Sequence, residues 1–447
     1  MNQSKPKIHT YTLLGFLIIV SVIVANILPA SQYEKNIDSG REIIDPNQYS
    51  IIESERPGIF DIFLALPRGL SASADLVFCF LIIGGVLGIL TKVGLVEAAI
   101  SKLLRISNVP NFLLIAILMT FFAIGGGTLG IAGEIILFLP ALVLLAKRLG
   151  YNEITGASIA ILGAGAGVSG AFLSPFTVGL AQQLAGLPLY SALGFRLLAW
   201  LVLTIVTILY VLRYAQRHRV IPEAISENNA PRCHNARLQC ILMVIGIVMI
   251  AVGTIKLNWG LIELSAAYLA IAVCIAIVGK LTATDTAQAF ADGASRMVSA
   301  ALAVGFARSV PLILENAQVI DTILHSLATS IQELPGGARA AGIFVFQVLV
   351  SFVIPSGTGQ AVLTIPILAP LWDIVGVTRQ TVVLAFQFGD AFSNVLSPNV
   401  AYFIAALSAV NIQWTKWAKF VLPLFFIWCL IGLAFTLIAH YIHLGPF

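Results

Sequence analysis

The chain has 447 residues, 59% of them hydrophobic and only 10% charged, whereas ordinary soluble domains carry about 25% charge. The net charge of +4 is spread over loops and gives no basis for nucleic-acid binding, and the apolar excess excludes a string of soluble domains. One polytopic membrane domain built from two halves is the class that remains.

In chain order, the stretches that suit a bilayer core of about 20 helical residues are Tyr11 to Ala30, Leu197 to Leu212 with its flanks, Leu238 to Thr254, Leu261 to Val278 and Phe420 to Ala439. The first is too long for a signal-peptide core and lacks a clear Ala-x-Ala site, so a retained helix is expected. Lys5 and Lys7 precede it, and the acid-rich loop Ser31 to Gly58 follows. The central loop holds Arg213, Arg217, Arg219, Arg232 and Arg237. Lysine and arginine collect on the cytoplasmic side. The amino terminus and central loop are therefore expected inside, and the acidic loop and carboxyl terminus outside. A helix from about Asp75 then ends near Lys92, Lys102 and Arg105, and nine crossings plus two opposed re-entrant hairpins satisfy the charges at every inner turn.

The hairpins follow from two Gly-rich breaks with one layout. Moving Gly130 to Pro140 by 226 positions superposes Gly133 on Gly359, Pro140 on Pro366 and Gly150 on Gly376. Ser174-Pro175 and Ser397-Pro398 repeat at a shift of 223, and Gly69 and Glu97 meet Gly293 and Asp321 at 224. Paired broken segments in the two halves of a membrane chain point to a secondary transporter's binding site. The expected fold is an all-α polytopic protein with two inverted-topology repeats. Its parts are 1–58 (first helix and acidic external loop), 59–213 (hairpin about 110–147, turning at Gly125 to Gly133, broken helix about 155–185), 214–282 (basic loop and two connecting helices) and 283–447 (hairpin about 341–376, broken helix about 380–407). Ile59 to Ser73 and Asp285 to Ser299 read as interfacial helices.

In hydrocarbon, irregular backbone survives only where it is buried or lines a watery cavity. Glycine lets backbone approach a ligand, and free amides at helix starts favour an anion. Ser356, Gly357, Thr358, Gly359 and Gln360 at the second tip, with Ser393, Asn394, Ser397 and Asn399 in the second broken helix, are therefore candidate solute ligands, joined by Ser174 and Thr177 from the first half. Two acids, Glu134 beside the first tip and Asp390 in the second broken helix, stand in apolar sequence, where a charge is a functional hypothesis by default. They read as a sodium or proton site, a counter-charge for a cationic solute, or acids satisfied by helix-end amides; Gly133 and Ser169 accompany them. Arg308 and Glu315, two turns apart, are expected to pair; His325 and His440 read as interfacial. Trp414 and Trp417 beside Lys416 and Lys419 read as interface anchors. The five cysteines show no metal-ligand spacing, Cys233-His234 included, so no structural metal and no cofactor beyond a coupling cation are expected.

Ile354 to Ala361, Pro366 to Leu371, Thr378-Arg379-Gln380 and Phe386 to Asn394, with Glu134 to Pro140 and Gly179 to Gln182 in the first half, resemble the YfcC/DcuC-type carriers of the ion transporter superfamily, nearly the whole chain from Pro57 onward being covered. Where similar carriers often have Pro-Thr-Ser, this chain has Ser397-Pro398-Asn399. The resemblance implies a homodimer in a bacterial inner membrane, with a scaffold and a mobile, elevator-type transport domain holding both hairpins. Members resemble four-carbon dicarboxylate carriers in some branches and basic amino-acid antiporters in others. The expected function is an ion-coupled symporter or antiporter for a small carboxylate-bearing metabolite, amino acids and among them basic ones favoured, since two acids suit a cationic group. A four-carbon dicarboxylate carrier is the alternative, a channel a weaker one. No metal cluster or nucleophile–base pair suggests an enzyme.

Overall fold

The computed structural model describes residues 10–38, 41–95, 98, 110–130, 133–222, 235–257, 259–332, 334–374 and 376–445. Lys5, Lys7, Glu97, Lys102, Arg105, Arg232 and the pair Cys233-His234 lie outside the described residues.

The first half contains α1 (Thr10–Ile27), strands β1 (Ser31–Asp38) and β2 (Arg41–Ile51), α2 (Ile59–Ala72), α3 (Ala74–Lys92), α4 (Asn111–Leu129), a 3-10 turn (Glu134–Leu137), α5 (Leu139–Arg148), α6 (Glu153–Gly170), a π turn (Pro175–Gly179), α7 (Leu180–Leu184) and α8 (Leu193–Arg217). Then come α9 (Ala236–Leu257), α10 (Leu261–Val278), α11 (Ala283–Asn316), α12 (Ile320–Gln332), α13 (Gly337–Val353), α14 (Gly357–Ile374), α15 (Arg379–Asn394), α16 (Ala401–Ala409) and α17 (Trp414–Tyr441). Among the described residues, six helices are long and apolar enough to cross a membrane: α3, α4, α8, α10, α11 and α17.

Local chemistry sets the helix starts. Asn152 caps α6 by accepting the Thr155 N–H at 3.0 Å, and Thr378, 226 positions later, caps α15 through the Thr381 N–H at 3.3 Å. The helices fall into two packing groups. In one, α11 runs against α1, α2 and α3, and α10 joins α3. In the other, the arms α4 and α5 both pack on α6, while α13 and α14 both pack on α15. The groups meet where α11 lies along α16. α6 begins beside the carboxyl end of α8, where Tyr151 bridges Arg219. α15 begins beside the residues that lead into α8, where Gln380 donates to Ser191. The two broken helices therefore begin beside opposite ends of α8.

Several expectations are corrected. The protein is mostly helical but not all-α: β1 and β2 pair antiparallel, Ser31 opposite Ile51 and Tyr33 opposite Tyr49. Tyrosine and isoleucine favour strands, a preference that a reading by charge passes over. The ribbon is fastened to α12. Tyr33 N–H donates to Asp321 at 3.1 Å, its hydroxyl lies 3.0 Å from His325 Nδ1, and the Tyr49 ring stacks on His325 at 3.9 Å. Burial, aided by Asp321 and Tyr49, pushes the Tyr33 phenol up to about 12. His325 thus has a defined partner outside the helical groups.

Asp285 to Ser299 is no separate interfacial helix. It forms the first half of the 34-residue α11, because the alanine-rich sequence around Ser299 offers no stop, whereas Ser73 leaves helical geometry between α2 and α3. Within the stretch Gly125 to Gly133 where the first turn is expected, Gly125 to Gly127 still belong to α4, and that helix ends at Gly130, whose φ is 70°. Trp417 is wholly buried and is no surface anchor; its indole donates to the Val395 carbonyl at 2.9 Å. Arg308 and Glu315 pair as expected, at 3.0 Å.

Candidate functional site

Both broken helices are enclosed. Every residue of α15 from Gln380 to Asn394 is buried, and α6 is buried over nearly its whole length. In such surroundings each backbone carbonyl freed by a break must find a donor. Side chains from other elements supply them. Trp414 and Trp417 donate to Leu396 and Val395 at 2.8 and 2.9 Å, Asn399 donates to Phe352 at 3.0 Å, and Gln387 donates to Val168 at 2.7 Å. The last bond ties the second broken helix to the final turn of the first.

Asp390 sits one turn before α15 ends and is 1% exposed. Its Oδ1 accepts from Asn394 Nδ2 at 3.0 Å. Its Oδ2 faces the first residue of α14 so closely that a Cβ on Gly357 would stand 2.6 Å away. Glycine leaves room for this contact, which sets the carboxylate against the amino-terminal residue of α14 and the positive end of its dipole. Among the described residues no lysine or arginine acts on this charge.

Tyr402, on α16, stands between the two acids: the charges of both Asp390 and Glu134 reach its phenol. Gly133 lies 3.8 Å from the Tyr402 Cβ. Glu134 also acts on Cys79 of α3 and Tyr268 of α10, which places it where the two helix groups meet. Between α6, α15 and α16 lies a cavity of about 20 Å³ lined by Ile135, Gly165, Val168, Asn394 and Tyr402. That is room for one water or a small ion, and Asn394 Oδ1 faces these surroundings without a hydrogen-bond partner.

The structure thus brings Gly357, Asp390 and Asn394 together, and sets Gly133 against Tyr402, whose phenol feels the charges of Asp390 and Glu134 alike. Three other candidates hold helices to one another. Gln360 donates to Gln347 Oε1 at 2.7 Å across the second hairpin, Ser393 bonds Ser351, and Asn399 closes the end of α13. Ser397 accepts the Asn399 N–H at 3.4 Å, and Ser169 folds back onto Gly165 at 2.7 Å. Ser356 and Thr358 are exposed on the second tip, Ser356 Oγ accepting the Gly359 N–H at 3.2 Å. Ser174 and Thr177 bond each other at 3.0 Å, beyond the break in the first broken helix.

Sequence reasoning passed over Tyr402, Gln347, Gln387 and Arg196. Tyrosine in apolar sequence reads as bulk, and an arginine at the start of an apolar run reads as an interfacial charge. Only the carbonyl that Gln387 meets, or the burial of Arg196, distinguishes them.

The chain is 29% identical over 477 aligned positions to a protein of Escherichia coli (strain K12) named "Putative basic amino acid antiporter YfcC", with 94% of each chain covered. It is 28% identical over 410 positions to an uncharacterized protein of Haemophilus influenzae, covering 88% of this chain and 80% of that one. Two solved transporters align at a TM-score of 0.46 and 16% identity, too low to carry weight: Alcanivorax borkumensis YdaH (98% of this chain, 100% of that one) and Neisseria gonorrhoeae MtrF (99% and 97%). The family model of the C4-dicarboxylate anaerobic carriers, DcuC, matches residues 8–441, and with two multi-helix halves meeting at their breaks this chain belongs to that family of membrane transporters.

Proposed function

We propose that the protein is a secondary active transporter, an ion-coupled symporter or antiporter, for a small carboxylate-bearing metabolite, with amino acids and among them basic ones favoured. The observation that carries this reading is Asp390, enclosed where the second tip meets the second broken helix with no basic side chain beside it. A mid-membrane charge costs about 2.5–3.5 kcal/mol on insertion scales, so it has to meet a cation during the transport cycle. Sodium, a proton, or the ammonium or guanidinium group of a basic solute meets that need. Glu134, across Tyr402, adds a second negative charge, which favours a cationic solute over one with two carboxylates. The name of the Escherichia coli relative supports the same choice. The family description supports a second reading, in which sodium neutralises the acids and the solute is a four-carbon dicarboxylate.

The start of α6 and of α15 beside opposite ends of α8 supports two inverted repeats. The two packing groups support a scaffold around α11 and a mobile body holding both hairpins, working as an elevator in a homodimer. Lys147, Arg148, Arg217 and Lys416 gather near the start of α6, which supports an inner-membrane orientation with the amino terminus inside and the carboxyl terminus outside. The test is uptake of labelled lysine and labelled succinate into proteoliposomes under imposed sodium or proton gradients, with and without internal solute. Lysine uptake driven by a gradient or by exchange is expected. Gradient-driven uptake of succinate alone selects the second reading, and uptake of neither solute sinks both.

A further inference from the structure

Arg196 is the one large charge in the described residues that the site above leaves unexplained. It lies on the first turn of α8 and is 1% exposed, yet its Nε and Nη1 have no hydrogen-bond partner. Burial is the only influence on the guanidinium; no carboxylate lies close enough to act on it. A guanidinium cannot escape by giving up its proton. Burying it without an anion costs several kcal/mol, so a folded protein keeps it there only if something else fills the deficit.

The surroundings are those of the transport path. Trp200, one helical turn further along the same face of α8, is packed against the last residue of α6: a Cβ on Gly170 would stand 2.3 Å from the Trp200 Cβ. The Trp200 ring meets Phe172 edge-on at 5.4 Å, within the first break. Side chains on a helix lean toward its amino end, so Arg196 is directed from the break toward the segment that leads into α8. There Ser191 is a hub: Gln182 Nε2 donates to its carbonyl at 2.9 Å, and Gln380, the second residue of α15, donates to its hydroxyl. Gln380 Oε1 is buried and has no partner. Unused donors on Arg196 and an unused acceptor on Gln380 thus lie on or beside the segment where α8 begins.

We propose that Arg196 is a carboxylate-recognition residue, the planar fork of its guanidinium taking the carboxylate of the transported solute in a bidentate pair, while Gln380 Oε1 accepts from a donor on that solute. The assignment rests on the carboxylate-carrier reading and adds to it a second contact region, separate from the acids at Asp390 and Glu134. A solute with a carboxylate at one end and a cationic group at the other has a complement in each region.

The experiment is thermal unfolding of the purified full chain, as wild type, Arg196→Met, Arg196→Lys and Asp390→Asn. The probes are lysine and succinate against their uncharged-end counterparts, lysinamide and succinamide. A ligand that binds only the folded form raises the midpoint according to its affinity. Wild type is expected to respond to a carboxylate and not to its amide. Arg196→Met is expected to unfold at a higher temperature than wild type without ligand, since it removes an unpaired buried charge, and to lose about ten- to a hundredfold in carboxylate affinity. Asp390→Asn is expected to weaken the response to lysine more than the response to succinate, since only lysine has a cationic end for that acid. An undiminished carboxylate response in Arg196→Met overturns the assignment while leaving the carrier reading intact. Should Arg196→Met not accumulate, Arg196→Lys decides: it keeps the charge and loses the fork, so unchanged carboxylate affinity overturns the proposal. If no carboxylate shifts the wild type, the substrate reading fails, and the assignment falls with it.

Discussion

The two helix crossings, α4 on α6 and α13 on α15, share a frame and differ in what holds it. Residues 226 positions apart correspond. Gly163 and Gly389 are such a pair, and each lets the outer arm approach backbone to backbone: a Cβ would stand 2.9 Å from the Met119 carbonyl oxygen in one and 2.5 Å from the Gln347 carbonyl carbon in the other. Elsewhere the halves diverge. Where the first half has Gly125 and Gly167, the second has Ser351 and Ser393, which bond each other. Where the first has Ala164, the second has Asp390, and where the second has Gln360, the first has Glu134. The first crossing is held by small residues in direct contact, as membrane helices commonly are. The second is held by side-chain hydrogen bonds. Each half contributes one acid, at non-equivalent positions, so the frame is repeated and the chemistry is not.

The strongest way to break the shared frame is Gly389→Val. Its Cβ would collide with fixed backbone, and we expect a loss of about 3 kcal/mol or more, read as a collapse of the unfolding midpoint in detergent. Gly163→Val is expected to do the same; tolerance of either shows that the approach is not required. Next is Gln347→Leu, which strips Gln360 Nε2 of its side-chain acceptor and Thr364 of a partner at 3.2 Å. A cost of about 1–3 kcal/mol is expected for the polar groups left unpaired. The corresponding first-half change, Phe121→Leu on an exposed face of α4, is expected to cost far less. Equal losses at the two positions would erase the contrast between the crossings.

Asp390→Asn sharpens the contrast by making position 390 neutral, as Ala164 already is. We expect ion or cation dependence of transport to be lost while the unfolding midpoint holds or rises, because the amide removes an uncompensated buried charge. Retained ion dependence would remove Asp390 from the coupling site. The smallest effect belongs to Lys416→Met. Lys416 bonds Glu153 at the start of α6 and holds its carboxyl below the usual range. A depressed carboxylate adds stability above its unfolded value and loses it as pH falls through the folded one. Lys416→Met is therefore expected to flatten the acid limb of the stability curve by under about 1 kcal/mol, as for exposed pairs. No change below pH 5, in titrations of the unfolding midpoint, would show that the pair contributes nothing.

Much of the frame is legible in the chain itself. Apolar runs of membrane length can only be helices, since nothing else satisfies a lone backbone segment in hydrocarbon. Glycine and proline mark where helices stop: α4 ends at Gly130, and α15 ends shortly before Pro398. The two-stranded ribbon was not legible, because its strands exist through pairing with each other and docking on α12. Nor was the division of the candidate ligands: Ser393, Asn399 and Gln360 have the same chemistry as free ligands and differ only in having found partners 13 to 47 residues away.

The sequence by itself determined the class and the places where backbone must break, because these depend on hydropathy and on backbone geometry local to a few residues. Tertiary structure alone decided which polar groups are spent and which remain unmatched. Asp390 became an uncompensated charge when α14 brought Gly357 against it without a base. Arg196 became one when α8 packed Trp200, one turn further along, against Gly170 and the first break. Burial and pairing are properties of the neighbours that a fold assembles, and no single stretch of chain contains them.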